Sequence, residues 1–217
     1  MWIFIVSAFV IASAALEEDD YCKKSAYRTC EVDKTSGLPG NEKEFDERCP
    51  ALLDQFRCNQ EHASKCHPES VQWYTTRYEL LQDLCRKDSH LHEAIVKNIG
   101  CIKENVTEEC SEKIIAVVLA YIDFLDKTGD EDSAEEDFRK FSCMNEAYTV
   151  TCAADSASRQ CGSIVKTSIL EMARRVDFLD KTEACPRQVR QAMVKDIPSM
   201  EISMAQKLLL EEVLLES

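Results

Sequence analysis

The sequence predicts an all-α fold made of disulfide-stapled helical hairpins, about four of them in series. Three observations predict it. Twelve cysteines lie between Cys22 and Cys185 in a recurring spacing: Cys22-x7-Cys30-x18-Cys49, Cys58-x7-Cys66-x18-Cys85, Cys101-x8-Cys110-x32-Cys143 and Cys152-x8-Cys161-x23-Cys185. Apolar residues recur at steps of three and four along most of the chain, the period of a helix with one buried face. Only five glycines and five prolines interrupt 217 residues, and few windows alternate as strands do.

The first stretch reads as a signal peptide, residues 1–15. Trp2 to Ala15 is apolar apart from Ser7 and Ser13, and falls short of the roughly 18 residues a membrane span needs. Small residues at Ala12-Ser13-Ala14-Ala15 precede an abrupt acidic run, Glu17-Glu18-Asp19-Asp20, as at a secretory cleavage site. An even number of cysteines behind such a segment implies an oxidised, extracellular framework. The cysteine-rich helical domain then occupies 16–198, and 199–217 is a leucine-rich C-terminal helix.

Along the domain, Ser36-Gly37-Leu38-Pro39-Gly40 is a turn, and Cys49-Pro50 opens a short helix because proline suits the first helical position. Val71, Tyr74, Tyr78, Leu81 and Cys85 make one amphipathic face. Ser89 caps the next helix, with Leu91, Ile95 and Ile99 inward. Ser111 starts the most apolar helix, in which Ile114, Ile115, Val118, Leu119, Ile122 and Leu125 surround more than half the circumference, so it is expected at the centre. Ser133-Ala134-Glu135-Glu136 is a capping box, and Val165, Ile169, Met172, Val176 and Leu179 stripe a further helix. Cys185-Pro186 repeats the Cys49-Pro50 start, and Pro198 ends that helix. Asp123-Phe-Leu-Asp-Lys-Thr128 recurs identically at 177–182, which argues for internal duplication.

Hairpin units predict a connectivity. Cysteines flanking each hairpin loop become neighbours, giving Cys22–Cys30, Cys58–Cys66, Cys101–Cys110 and Cys152–Cys161, with Cys49–Cys85 and Cys143–Cys185 at the open ends. Pairs nine residues apart within one helix are excluded, because a rise of 1.5 Å per residue separates them by about 13 Å.

The balance of 26 basic against 40 acidic residues leaves a net charge of −14. Such a surface repels phosphate backbones and anionic headgroups, so nucleic acid is excluded and a membrane disfavoured as partner. No nucleophile elbow, phosphate-binding loop or dinucleotide fingerprint is present, so an enzyme is not expected and no cofactor is implied. Asp126, Thr128, Asp130, Asp132 and Asp137 alternate as calcium ligands do, but Glu131 stands where the loop requires glycine and Asp137 at its twelfth place, so the segment reads as a solvated acidic loop. His62, His67, His90 and His92 form no metalloprotease helix and read as surface histidines, so no metal is expected. Asn105-Val106-Thr107 is a glycosylation sequon, placed on the loop between Cys101 and Cys110. In the C-terminal helix, Leu208, Leu209, Val213 and Leu214 are candidate partner or lipid contacts; the competing reading docks the helix on the body.

The Cys-x8-Cys-x8-Cys run at 143, 152 and 161, with the signal peptide and the helical stripes, resembles cysteine-rich all-helical secreted proteins of invertebrates, including arthropod haemolymph glycoproteins. That resemblance implies an extracellular fluid or gland secretion and names no ligand. Insect odorant-binding proteins require Cys-x3-Cys and saposin-like proteins Cys-x2-Cys, and neither occurs. The expected function is that of a non-enzymatic secreted binding protein carrying a small apolar ligand; the alternative is a secreted module that binds another extracellular protein.

Overall fold

The computed structural model describes residues 21–30, 37–128, 134–179 and 185–216. All regular structure among them is helical, and none of the helices is long and apolar enough to cross a membrane. The apolar segment of residues 1–15 and Ser133 of the capping box lie outside the described residues. The described residues divide into two units, one within 21–37 and 46–82, the other within 38–45 and 83–216.

The first unit holds a short helix α1 (Ala26–Thr29), α2 (Glu42–Cys66) from residue 46 onward, and, after a turn at Pro68–Ser70, α3 (Val71–Cys85) as far as residue 82. Gln60 donates to the Thr75 hydroxyl at 2.7 Å and Arg57 to the Tyr78 hydroxyl at 3.1 Å, so the C-terminal half of α2 and α3 form an antiparallel hairpin. Pro50 is interior to α2, which starts eight residues earlier than Cys49-Pro50 suggested. The same dipeptide behaves as expected at Cys185-Pro186, where Pro186 is the N-cap of the following helix.

The second unit carries α4 (Thr107–Thr128), α5 (Ala134–Gln160), α6 (Ser163–Arg175), α7 (Arg187–Asp196) and α8 (Met204–Glu216). Before them, Ser89 accepts the His92 amide as an N-cap, and Leu91, Ile95 and Ile99 are buried as the periodicity predicts. Gly162 turns the chain between α5 and α6 at φ 101°, which glycine adopts without a Cβ penalty. The central helix is α5, not α4. It packs against α4, α6, α7 and α8, and buries Cys143, Met144, Ala147, Tyr148, Thr151, Cys152, Ala154, Ser156 and Ala157. Small residues let four neighbours approach, and they spread around the helix, so no single apolar stripe marks it. Helix α4 is more apolar but peripheral: Ile115 is 62 % and Leu119 57 % exposed.

The bridges follow a different rule from the hairpin-loop scheme. Cys22 pairs with Cys66, Cys30 with Cys58, Cys101 with Cys161, Cys110 with Cys152, and Cys143 with Cys185. Of the predicted pairs whose bridge is described, Cys143–Cys185 occurs, whereas Cys22–Cys30, Cys58–Cys66, Cys101–Cys110 and Cys152–Cys161 do not. The reason is that the x7 and x8 spacings of the last three lie within helical runs rather than loops, where neighbouring cysteines point along one axis and stand too far apart. Two such runs lie antiparallel and are joined by two rungs. The cysteines therefore group as two sets of six, not four units. In each set the first joins the fifth and the second the fourth, and in the second set the third joins the sixth. Each described bridge closes 28 to 60 residues, so the chain-entropy account gives about 4 kcal/mol apiece rather than the ~2–3 of a short loop. A second sequence echo follows each sixth cysteine: Ala94-Ile-Val-Lys-Asn-Ile99 and Ala192-Met-Val-Lys-Asp-Ile197. Ile95 and Met193, and Ile99 and Ile197, are buried alike.

Candidate functional site

Helix α4 has three kinds of surface. Val118, Tyr121 and Leu125, three to four residues apart, are buried in the core of the second unit. Val117, Ala120 and Phe124, one position earlier on each turn, line a groove of about 430 Å³. Ile115 and Leu119 stand in solvent beyond it. The opposite wall is the segment Ser199-Met200-Glu201-Ile202 that leads from α7 into α8. Cys110–Cys152 ties the α4 wall to α5, and Cys143–Cys185 ties α5 to the residue just before Pro186, the N-cap of α7.

At the base of the groove the Tyr121 and Phe124 rings stack, with centroids 6.0 Å apart and planes 14° from parallel. The Tyr121 hydroxyl donates to the Asp196 carboxylate at 2.8 Å, pinning α4 to the end of α7. Burial pushes the Tyr121 pKa well above its usual value, helped by the Asp196 hydrogen bond and charge and by Asp137 and Glu136. Tyr121 therefore stays a donor, and its surroundings are electronegative. Asp123, Lys127 and Glu201 line the groove and are exposed; none has a hydrogen-bond or ion-pair partner among the described residues.

Such a site can take up an apolar body and orient it by charge. Searches of protein-family models, curated proteins and solved structures find no match for this chain. The site therefore rests on its own geometry.

The residues singled out from the sequence fall elsewhere. Leu209, Val213 and Leu214 are buried in the core of the second unit, so they are not available as partner contacts; Leu208 is exposed. Helix α8 docks on α5 and α7, because its leucines occupy nearly consecutive positions and the core takes the larger share. Asn105 is exposed, but on a helical turn (Ile102–Val106) rather than a loop, and its side-chain amide donates to the Cys101 carbonyl at 3.1 Å. Asp130 and Asp132 lie outside the described residues.

The histidines are not all superficial. His62 is 1 % exposed, with Nε2 donating to the Lys24 carbonyl at 3.0 Å and its ring 5.1 Å from Tyr21. His92 is wholly buried: Nδ1 donates to the Leu84 carbonyl at 2.7 Å and Nε2 meets the Glu42 carboxylate at 3.2 Å. His90 is exposed and pairs with Glu171 at 2.7 Å. His67 stands 3.5 Å from Glu69.

The groove was missed in the sequence because its apolar residues belong to a helix assigned wholly to the core. The available signal was the excess of apolar character: Ile114 to Leu125 carries more apolar circumference than one core face consumes.

Proposed function

We propose that the protein is a secreted, non-enzymatic binding protein that carries a small apolar ligand in the groove between α4 and residues 199–202. The observation that supports this most is the groove itself. Val117, Ala120, Phe124, Met200 and Ile202 give it apolar walls, and its volume of about 430 Å³ lies within the 300–1,000 Å³ common for small-molecule sites. Oxidised cysteines throughout agree with an extracellular fluid, as does the likeness to cysteine-rich secreted proteins of invertebrates. Asn105, exposed in the sequon, would carry the glycan.

A second reading has its own observation. Ile115 and Leu119, exposed one turn apart beside the groove, suit a module that buries α4 against an extracellular protein. Native mass spectrometry of protein from secreting cells separates the two. A non-covalent adduct of small-molecule mass, absent from the Val117→Asp variant, is the outcome expected for the carrier. A protein-sized adduct that survives Val117→Asp and is lost with Leu119→Asp favours the partner reading instead.

A further inference from the structure

The groove is apolar on its walls and uneven in charge at its rim. Asp123 and Glu201 face it from opposite walls, α4 and the 199–202 segment, and neither has a partner among the described residues. Lys127 supplies a single ammonium against them. Behind the base, the Tyr121 hydroxyl already spends its proton on Asp196, so the carboxylates outnumber the cation from below as well as from the sides. The whole chain adds a net charge of −14, which raises the local concentration of cations at such a cleft. Beneath the rim, partly buried Phe124 adds an aromatic ring to the apolar wall, backed by the buried ring of Tyr121.

We infer that the groove takes a small apolar cation, an amine whose hydrocarbon or aromatic body lies along Val117, Phe124, Met200 and Ile202 and whose ammonium is held between Asp123 and Glu201. This inference rests on the ligand-carrier reading above and specifies the chemistry of its cargo. A carboxylate ligand of the same shape would have Lys127 alone to meet it, against two fixed negative charges. A neutral ligand would gain the apolar walls and nothing from the rim. An ammonium gains both, and its charge-assisted hydrogen bonds are the stronger kind.

Three probes of one shape test it on the intact, oxidised protein: tryptamine, the alcohol tryptophol and the anion indole-3-propionate. Binding is read by calorimetry and by methyl NMR shifts of Val117, Met200 and Ile202. Tryptamine is expected to bind tightest, to shift those methyls, and to weaken about tenfold with Asp123→Asn or Glu201→Gln, the loss of one charged hydrogen bond. Lys127→Gln is expected to strengthen it. All three substitutions are of exposed side chains, so the fold is retained. Equal or tighter binding of tryptophol or indole-3-propionate at the same methyls overturns the cationic assignment and leaves the carrier reading standing. If none of the three probes moves those methyls, both fail.

Discussion

Leu210 and Leu208 sit two residues apart on α8, and the structure gives them opposite fates. Leu210 is 0 % exposed in the core, whereas Leu208 is 62 % exposed. Replacing Leu210 by Ala removes three buried carbon groups at about 0.8 kcal/mol each, or ~2.4 kcal/mol. Its neighbours, including Leu209, Val213 and Leu214 on the same helix, cannot fully close the gap, and a residual cavity adds about 1 kcal/mol more. The sum of roughly 3–4 kcal/mol corresponds to a fall in Tm of about 6–16 °C for a unit of this size. Leu208→Ala should stay within about 0.5 kcal/mol of the parent. Guanidinium denaturation of the oxidised protein, followed by far-UV circular dichroism, measures both. Equal effects for the two substitutions would refute the docking of α8, and with it the assignment of 199–217 to the core rather than to a free arm.

Three further outcomes follow from side chains of the second unit. Hydrogen bonds from Lys113, Ser156 and Arg159 hold the Glu109 carboxyl down to about 2, against an ordinary 4.5. Its contribution is therefore complete above about pH 4.5 and is lost as pH falls toward 2. At 1.4 kcal/mol per pH unit the ceiling is roughly 3.5 kcal/mol, and half-exposed Arg159 and Lys113 reduce it to about 1–2 kcal/mol. Stability curves of Glu109→Gln and parent should accordingly converge near pH 2 and diverge toward pH 5; parallel curves would contradict the network. Tyr121→Phe removes the donor to Asp196 and should cost about 1–2 kcal/mol by thermal denaturation, while leaving groove volume nearly unchanged. Glycan at Asn105, read as a mass shift removed by amidase treatment, is expected in protein from secreting cells, and Asn105→Gln should abolish it.

Much of the helical architecture was legible because single-face helices announce themselves. The stripe Val71, Tyr74, Tyr78, Leu81, Cys85 became α3, and Ser89 capped the segment that buries Leu91, Ile95 and Ile99. Helix α5 was not legible as the centre, since Ala147, Ala154 and Ala157 are too small, and Thr151 and Ser156 too polar, to write a stripe. Thr151 satisfies its buried hydroxyl on the Ala147 carbonyl and Ser156 donates to Glu109, so both can sit inside. The connectivity was misread for a related reason. A spacing of eight or nine fits two turns of helix as well as a loop, and helicity of the runs at 58–66, 101–110 and 152–161 decides between them. Once they are helical, the rule that excludes a bridge nine residues along one helix also excludes the loop pairs. The echo of Ala94–Ile99 at Ala192–Ile197 was present in the sequence and points to the two-set grouping without any coordinates. The groove is the hardest part to read in advance, because Val117 and Phe124 differ from Val118 and Leu125 only in their angle around α4.

The α4 wall of the groove is held to α5 by the Cys110–Cys152 bridge. Peptide mapping of the unreduced protein, digested at acidic pH to suppress exchange, tests that directly. The expected result is a peptide pair joining Cys110 to Cys152 and another joining Cys143 to Cys185, with Cys101–Cys161 beside them and the same first-to-fifth, second-to-fourth order at Cys22–Cys66 and Cys30–Cys58. Recovery of Cys101–Cys110 or Cys152–Cys161 would contradict the antiparallel rungs and the α4–α5 pairing on which the groove is built.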